Sequence, residues 1–223
     1  GIYFTPITTS LSMNNSIISN TVSTVNGHGI FFDAGVNTKN NNIISNNVTV
    51  ASGTAIGINI ASTNSNISSN TVVKNGTTAG ISAGGANMII TFNNVTVTGT
   101  GTSGYGISAG GANDTITSNI ISTTTSGNGI NRASSTDSES TVISNNDITT
   151  LTGNAITFSS GSSKTQNNTV ISNNNLVTTG GDGINFATST GGKIYNSLII
   201  GNNFTMKGSG NALDMTTGSI LLI

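Results

Sequence analysis

The chain has 223 residues, of which 6% are charged, and six basic against seven acidic residues give a formal net charge of −1. Such sparse charge cannot neutralise a phosphate backbone or hold an anionic lipid surface, so neither nucleic acid nor a charged membrane surface is an expected partner. Cysteine is absent, which excludes disulfide bonds and thiolate metal sites, and no apolar run is long enough for membrane insertion.

A first short strand, of the form Ile-x-x-Asn-x-apolar, occurs eight times between residues 17 and 204. An apolar residue stands three positions before each Asn and another two positions after it, so the alternation of a half-buried strand breaks at the Asn. We therefore predict a bend at the Asn itself, in the left-handed conformation that Asn tolerates. The column comprises Asn20, Asn46, Asn70, Asn93, Asn119, Asn146, Asn174 and Asn202.

A second short strand follows each copy of the first, with Gly or Ala, then Ile or Leu, any residue, and usually an apolar residue. Its first copy is residues 29–32 and its last is residues 212–215. The Gly permits positive φ or a close backbone approach at a corner. Successive motif Asn residues are 23 to 28 positions apart, a period typical of solenoids. Stacked coils would align the Asn amides as a hydrogen-bonded ladder.

These motifs resemble the right-handed parallel β-helix repeat family (the pectin lyase-like superfamily), whose repeats carry Ile-x-x-Asn-x-[Val/Ile/Leu/Phe] followed by Gly-x-Gly-Ile. The resemblance covers nearly all of residues 14–215. It implies an all-β fold, a single-stranded right-handed parallel β-helix of about eight coils with partial coils at both ends. Residues 1–223 would form a single domain, part of a longer chain or of a fibre. Members of the superfamily include polysaccharide lyases and hydrolases, phage tailspikes, adhesins and surface proteins, so the resemblance says little about function.

Enzymes of this superfamily resemble one another in clustering acids on adjacent coils, whereas here no two acids share a column in neighbouring coils. Asp182 and Asp214 come closest, offset by three positions, and we interpret them as two solvated turn acids. Asp137 and Glu139 lie in a long loop near Lys164 and predict a surface ion pair, with Ca²⁺ binding as the alternative. The sequence therefore predicts no catalytic residue, no cofactor and no metal site.

A few isolated side chains remain. His28 is the only histidine and is expected at a corner. Arg132 replaces the apolar residue of its column, and we expect it to lie over Phe158 with its head in water; the alternative is a bound anion or carboxylate. Tyr3 and Phe31 share an outward column in adjacent coils and are candidate glycan contacts, with ordinary surface as the alternative.

The dense repeat, the charge-poor surface and the dispersed acids favour a non-catalytic structural or adhesive module, extracellular or at the cell surface. Low net charge and strand edges at the two ends favour self-association end to end into fibres, with a glycan or host surface as a further partner. The alternative function is binding or degradation of a polysaccharide.

Overall fold

The chain winds as a single-stranded parallel β-helix. The computed structural model describes residues 1–4, 12–33, 38–99, 101, 104–134, 137–160, 163–187, 192–215 and 219–222, and this part of the chain contains strands and no helix. Three long sheets run along the axis of the solenoid. Their strands pair in parallel with strands of the neighbouring coils. The predicted all-β solenoid is confirmed.

The first sheet contains the Gly-Ile segments, and its described strands number nine. Its strands are Ile2–Phe4, Ile30–Phe32, Ile58–Ile60, Ile81–Ala83, Ile107–Ala109, Ile130–Ser134, Ile156–Ser160, Ile184–Phe186 and Leu213–Asp214. In-register pairing places identical positions of successive coils above one another, as with Ile81 on Ile107.

The second sheet contains the strands that precede each motif Asn. These are Ser16–Ile18, Asn42–Ile44, Asn66–Ser68, Ile89–Thr91, Thr115–Thr117, Val142–Ser144, Val170–Ser172 and Lys193–Ile200. Two further strands pair with Lys193–Ile200, namely Thr165–Asn167 and Ser219–Leu222, and Ser138–Glu139 pairs in turn with Thr165–Asn167. A separate pair of short strands joins Ser12–Met13 to Thr38–Lys39.

The third sheet contains the strands that follow each motif Asn, eight in the described chain. These are Thr21–Thr24, Asn47–Val50, Thr71–Asn75, Asn94–Thr98, Ile120–Thr123, Asp147–Thr150, Asn175–Thr178 and Asn203–Met206. The inward side chains of all three sheets form one continuous apolar core, in which most of the Ile residues are fully buried. Because each coil buries its apolar residues against its neighbours, stability comes from stacking.

The bend between the second and third sheets lies one residue earlier than we predicted. The residue before the motif Asn, not the Asn itself, has positive φ, as in Ser45 (57°), Phe92 (58°) and Asn145 (56°). A left-handed residue at this position turns the following Asn side chain into the corner, where its amide can reach two coils. The predicted left-handed Asn was therefore wrong.

The asparagine ladder itself is confirmed. The Asn93 backbone N–H and Nδ2 both donate to Asn119 Oδ1, at 2.9 and 3.0 Å, and Asn119 donates in the same way to Asn146. The same pair of bonds joins every motif Asn from Asn20 to Asn202 to the next one. The ladder gives hydrogen-bond partners to backbone N–H groups at this corner, which would otherwise be buried without one.

Glycine before the first-sheet Ile is required by close packing rather than by positive φ. A Cβ on Gly106 would lie 2.2 Å from Ile121 Cγ2 and 2.6 Å from the Gly129 carbonyl oxygen, and Gly106 does not have positive φ. Ala155 and Ala212 replace the glycine in this column, and Ala155 is informative: the third-sheet residue in register with Ile121 and Ile148 is there Leu176. Leucine has no β-branch, so it leaves room for one methyl group.

Candidate functional site

The outer face of the first sheet carries two groups of side chains that could recognise a ligand, one aromatic and one acidic. We call this surface the first-sheet face; successive strands place its outward residues in one column. The column comprises Tyr3, Phe31, Asn59, Ser82, Ser108, Asn131, Thr157, Asn185 and Asp214. It is aromatic at one end, acidic at the other, and polar and uncharged between them.

Three aromatic rings meet at the first end. Tyr3 and Phe31, the candidate glycan contacts, have ring centroids 5.7 Å apart. His28 joins them, stacked on Phe31 at 4.9 Å and edge-on to Tyr3 at 6.4 Å. Tyr3 is 50% exposed, whereas His28 and Phe31 are half-buried. We call this group the aromatic platform.

Alongside the first-sheet face, a second polar ladder lines the corner where the chain enters the later first-sheet strands. Asn154 N–H donates to Asn128 Oδ1 at 3.0 Å, Asp182 N–H donates to Asn154 Oδ1 at 2.7 Å, and Asn211 N–H donates to Asp182 Oδ1 at 2.7 Å. His28 has the same role earlier in the column, since its Nδ1 accepts from Ile56 N–H at 2.9 Å. The sequence signal for this ladder is the polar residue two positions before the first-sheet Ile or Leu.

The two acids of the last coils are held together by one amide. Asn185 Nδ2 lies 3.0 Å from Asp182 Oδ2 and 3.0 Å from Asp214 Oδ2. The two carboxylate oxygens are therefore no more than about 6 Å apart, a limit that allows the carboxylate separation of about 5–5.5 Å found in retaining glycosidases. Both acids are half-buried, and the Asn185 amide between them is a contact that the interpretation as two solvated turn acids did not include.

The loop acids lie apart from this face. Asp137 Oδ1 accepts from Thr165 N–H at 2.8 Å, and Ser138–Glu139 pairs its backbone with Gln166 and Asn167. The side chain of Glu139 lies outside the described residues, so the ion pair with Lys164 remains a prediction. Within the described ranges, no group of three or more His, Cys, Asp or Glu is placed to hold a metal ion.

Arg132 is inside the core, so the expectation that its head lies in water was wrong. The side chain has no exposed surface, and its guanidinium donates to the carbonyl oxygens of Ala109 and Gly111 and to Thr141 Oγ1. The carboxylate that attracts it is internal: Asp114 is also fully buried. Burial lowers the pKa of Arg132, and the charge of Asp114 raises it.

Asp114 is a buried carboxyl group with a strongly shifted pKa. Burial raises its pKa to about 6, although the Met88 N–H hydrogen bond, the charge of Arg132 and the Gly111 backbone all act to lower it. Oδ1 accepts from Met88 N–H at 3.0 Å. A perturbed carboxyl is often a functional group, but this one has no surface that a ligand could reach, so it belongs to the structure of the core.

Lys74 is a second buried cation that the sequence did not single out. It occupies an inward third-sheet position without exposed surface, and its Nζ donates to the carbonyl oxygens of Gly53 at 3.0 Å and Asn75 at 2.6 Å. Burial lowers the pKa of this amine. Two coils later in the same column, Thr123 caps the carbonyl of Gly127, so Lys74 also closes a corner.

Comparison with known proteins supports the fold. No family model matches the chain, and no curated protein matches it. A similar solved structure is the crystal structure of the Dettilon tailspike protein, which superposes with a TM-score of 0.59 at 13% sequence identity. The similarity covers 95% of this chain and 54% of the tailspike chain, so this chain spans about half the length of that protein. At this identity the likeness establishes a shared parallel β-helix fold. The described part of the chain contains no helix that is long and apolar enough to cross a membrane.

Proposed function

We propose that the protein is a non-catalytic adhesive module, extracellular or at the cell surface, whose first-sheet face binds an extended glycan. The observation that carries this proposal is the aromatic platform of Tyr3, His28 and Phe31, which lies at one end of an uncharged polar face. The tailspike protein with the same fold supports a role at a surface.

The chemistry of this face suits a sugar polymer. Aromatic rings offer apolar faces on which the C–H face of a sugar can pack, and Asn, Ser and Thr side chains provide hydrogen-bond donors and acceptors along the rod. Several are already held by neighbours: Asn154 Nδ2 donates to Thr157 Oγ1 at 3.1 Å and Asn128 Nδ2 to Asn131 Oδ1 at 3.5 Å. A preorganised surface of this kind loses little side-chain entropy on binding.

The test is a glycan array followed by titration with the strongest ligand, using the wild type and the variants Phe31→Ala and Tyr3→Ala. We expect each substitution to weaken binding about tenfold, or about 1.4 kcal/mol. The matched control is Phe92→Ala, since Phe92 is 66% exposed but lies at a different corner. If Phe31→Ala and Tyr3→Ala bind as the wild type does, the platform is not the binding site.

A second candidate function is cleavage of a polysaccharide, and the carboxylate pair favours it. Asp182 and Asp214 approach one another through Asn185, so one could act as acid and the other as base or nucleophile. Incubation with uronic-acid polymers, with Asp182→Asn and Asp214→Asn as controls, separates binding from cleavage. Depolymerisation that requires both acids would establish this alternative, and intact polymer would support the non-catalytic proposal.

We also propose that the coils can stack end to end between molecules. Ile2 and Phe4 at one end of the core, and Phe204 and Leu213 at the other, are half-buried, so another coil would cover them. The near-zero net charge opposes this stacking only weakly. Electron microscopy over a concentration series tests it: fibres with an axial repeat of ~4.8 Å are expected, and separate short rods at every concentration would contradict it.

A further inference from the structure

We propose that His28 is the specificity-determining residue of the aromatic platform, and that it donates a hydrogen bond from Nε2–H to an oxygen on the edge of a sugar stacked there. This inference rests on the proposed glycan binding and adds to it the chemistry of the ligand. The favoured sugar is one that presents a hydroxyl, ether or carboxylate oxygen to the imidazole edge.

The backbone fixes which nitrogen carries the proton. His28 Nδ1 accepts from Ile56 N–H at 2.9 Å, and a nitrogen that accepts a hydrogen bond in this way has no proton of its own. The neutral imidazole must then carry its hydrogen on Nε2. His28 is half-buried, so its ring is anchored by Nδ1 and has one remaining polar group, a donor.

Two neighbouring aromatic rings also hold the imidazole in place. Phe31 stacks against it with an interplanar angle of 21°, and Tyr3 meets it at 66°. The Tyr3 hydroxyl lies near the preceding residue, since a Cβ on Gly27 would be 3.0 Å from it. A donor held by a backbone bond and two rings is oriented before the ligand arrives, which is the condition for discrimination between sugars.

The ladder alone does not explain a histidine at this position. Asn128, Asn154 and Asp182 accept the equivalent backbone N–H with short side chains. An Asn at position 28 would therefore satisfy Ile56 N–H equally well. What histidine adds is an aromatic ring, which contacts Phe31 and Tyr3, and the Nε2–H donor.

This comparison supplies the critical variant, His28→Asn. It keeps an acceptor for Ile56 N–H, as Asn128 does for Asn154, but removes the ring and the donor. We expect it to unfold cooperatively, with a melting temperature lowered only by the loss of the ring contacts with Phe31 and Tyr3, and its affinity for the preferred glycan to fall at least tenfold. Preference over the sugar lacking the contacted oxygen should disappear as well. Phe92→Ala serves as the unaffected control.

Two readouts separate this inference from the proposed function. If wild type binds and Phe31→Ala does not, while His28→Asn retains full affinity and selectivity, the role of His28 is overturned and glycan binding stands. If wild type binds no glycan, both are overturned. Independently of any ligand, ¹⁵N NMR of the imidazole should show the Nε2–H tautomer, and a neutral Nδ1–H tautomer would also overturn the inference.

Discussion

Replacing one asparagine in the middle of the ladder measures what the ladder contributes to stability. Asn119 is fully buried. Its Nδ2 donates to Ile90 O, Thr117 O and Asn146 Oδ1, at 2.9, 3.1 and 3.0 Å. Its Oδ1 accepts from Asn93 N and Asn93 Nδ2 at 2.9 and 3.0 Å. Asn119→Ala removes all of these hydrogen bonds together.

The magnitude follows from the groups left behind. The Asn93 backbone N–H loses the side-chain acceptor that holds it, and a buried donor without a partner costs about 1–3 kcal/mol. Other lost bonds, such as that to Ile90 O, cost about 1 kcal/mol each, less where a partner keeps a second bond. We therefore expect the free energy of unfolding to fall by about 3–4 kcal/mol. Asn119→Asp should be at least as harmful at neutral pH, because a carboxylate cannot donate.

Urea unfolding followed by circular dichroism provides the assay, and Asn20→Ala provides the control. Asn20 is exposed, and its Nδ2 donates to Ile18 O and Asn46 Oδ1. Its removal leaves fewer buried groups without a partner, so a loss of about 1 kcal/mol or less is expected. Equal losses for Asn119→Ala and Asn20→Ala would refute the reasoning, because they would show that burial within the ladder adds nothing.

Three further predictions concern the core and the corners. Because the folded-state pKa of Asp114 is raised from 3.8 to about 6, wild-type stability should increase by up to about 3 kcal/mol as pH falls from above 6 to below 3.8. Asp114→Asn should abolish that dependence in pH-dependent unfolding measurements, and an unchanged profile would assign it to other groups. Phe92→Asn should raise the melting temperature by the equivalent of about 0.5–1 kcal/mol, since Phe92 has a φ of 58°; a lower melting temperature would indicate that the exposed ring packs favourably. Gly106→Ala should destabilise by about 1–3 kcal/mol. The double variant with Ile121→Leu should recover the part of that loss caused by the Ile121 methyl group, while the contact with the Gly129 carbonyl oxygen remains; the recovery is measured by a double-mutant cycle.

The repeat made most of the fold predictable. Ile at the first motif position and Asn at the fourth recur with a period that only stacked coils explain, and the structure places these residues in the columns that the alignment of copies indicates. The backbone conformation at the corner was harder to predict. Ser45 and Asn46 are both common in turns, and only the structure shows that Ser45 is the left-handed residue.

The interactions that the sequence did not predict are those between columns. Alignment of repeats shows which residues stack on one another, but not which columns face each other across the core. Arg132 lies in a first-sheet strand, whereas Asp114 immediately precedes the second-sheet strand Thr115–Thr117, and the two buried charges interact across the interior. Asp182 and Asp214 occupy different columns, and the side chain of Asn185 brings them together. Both arrangements depend on side-chain reach, which repeat spacing does not encode.

The central claim is that the first-sheet face binds a glycan without cleaving it. The most direct measurement is to incubate the protein with a bound polysaccharide, then determine both the bound fraction and the polymer length by size-exclusion chromatography with light scattering. We predict a bound fraction that falls when Phe31 is replaced by alanine, and a polymer length that does not change with time. Shortening of the polymer that disappears in Asp182→Asn, or absence of any retention, would contradict the account.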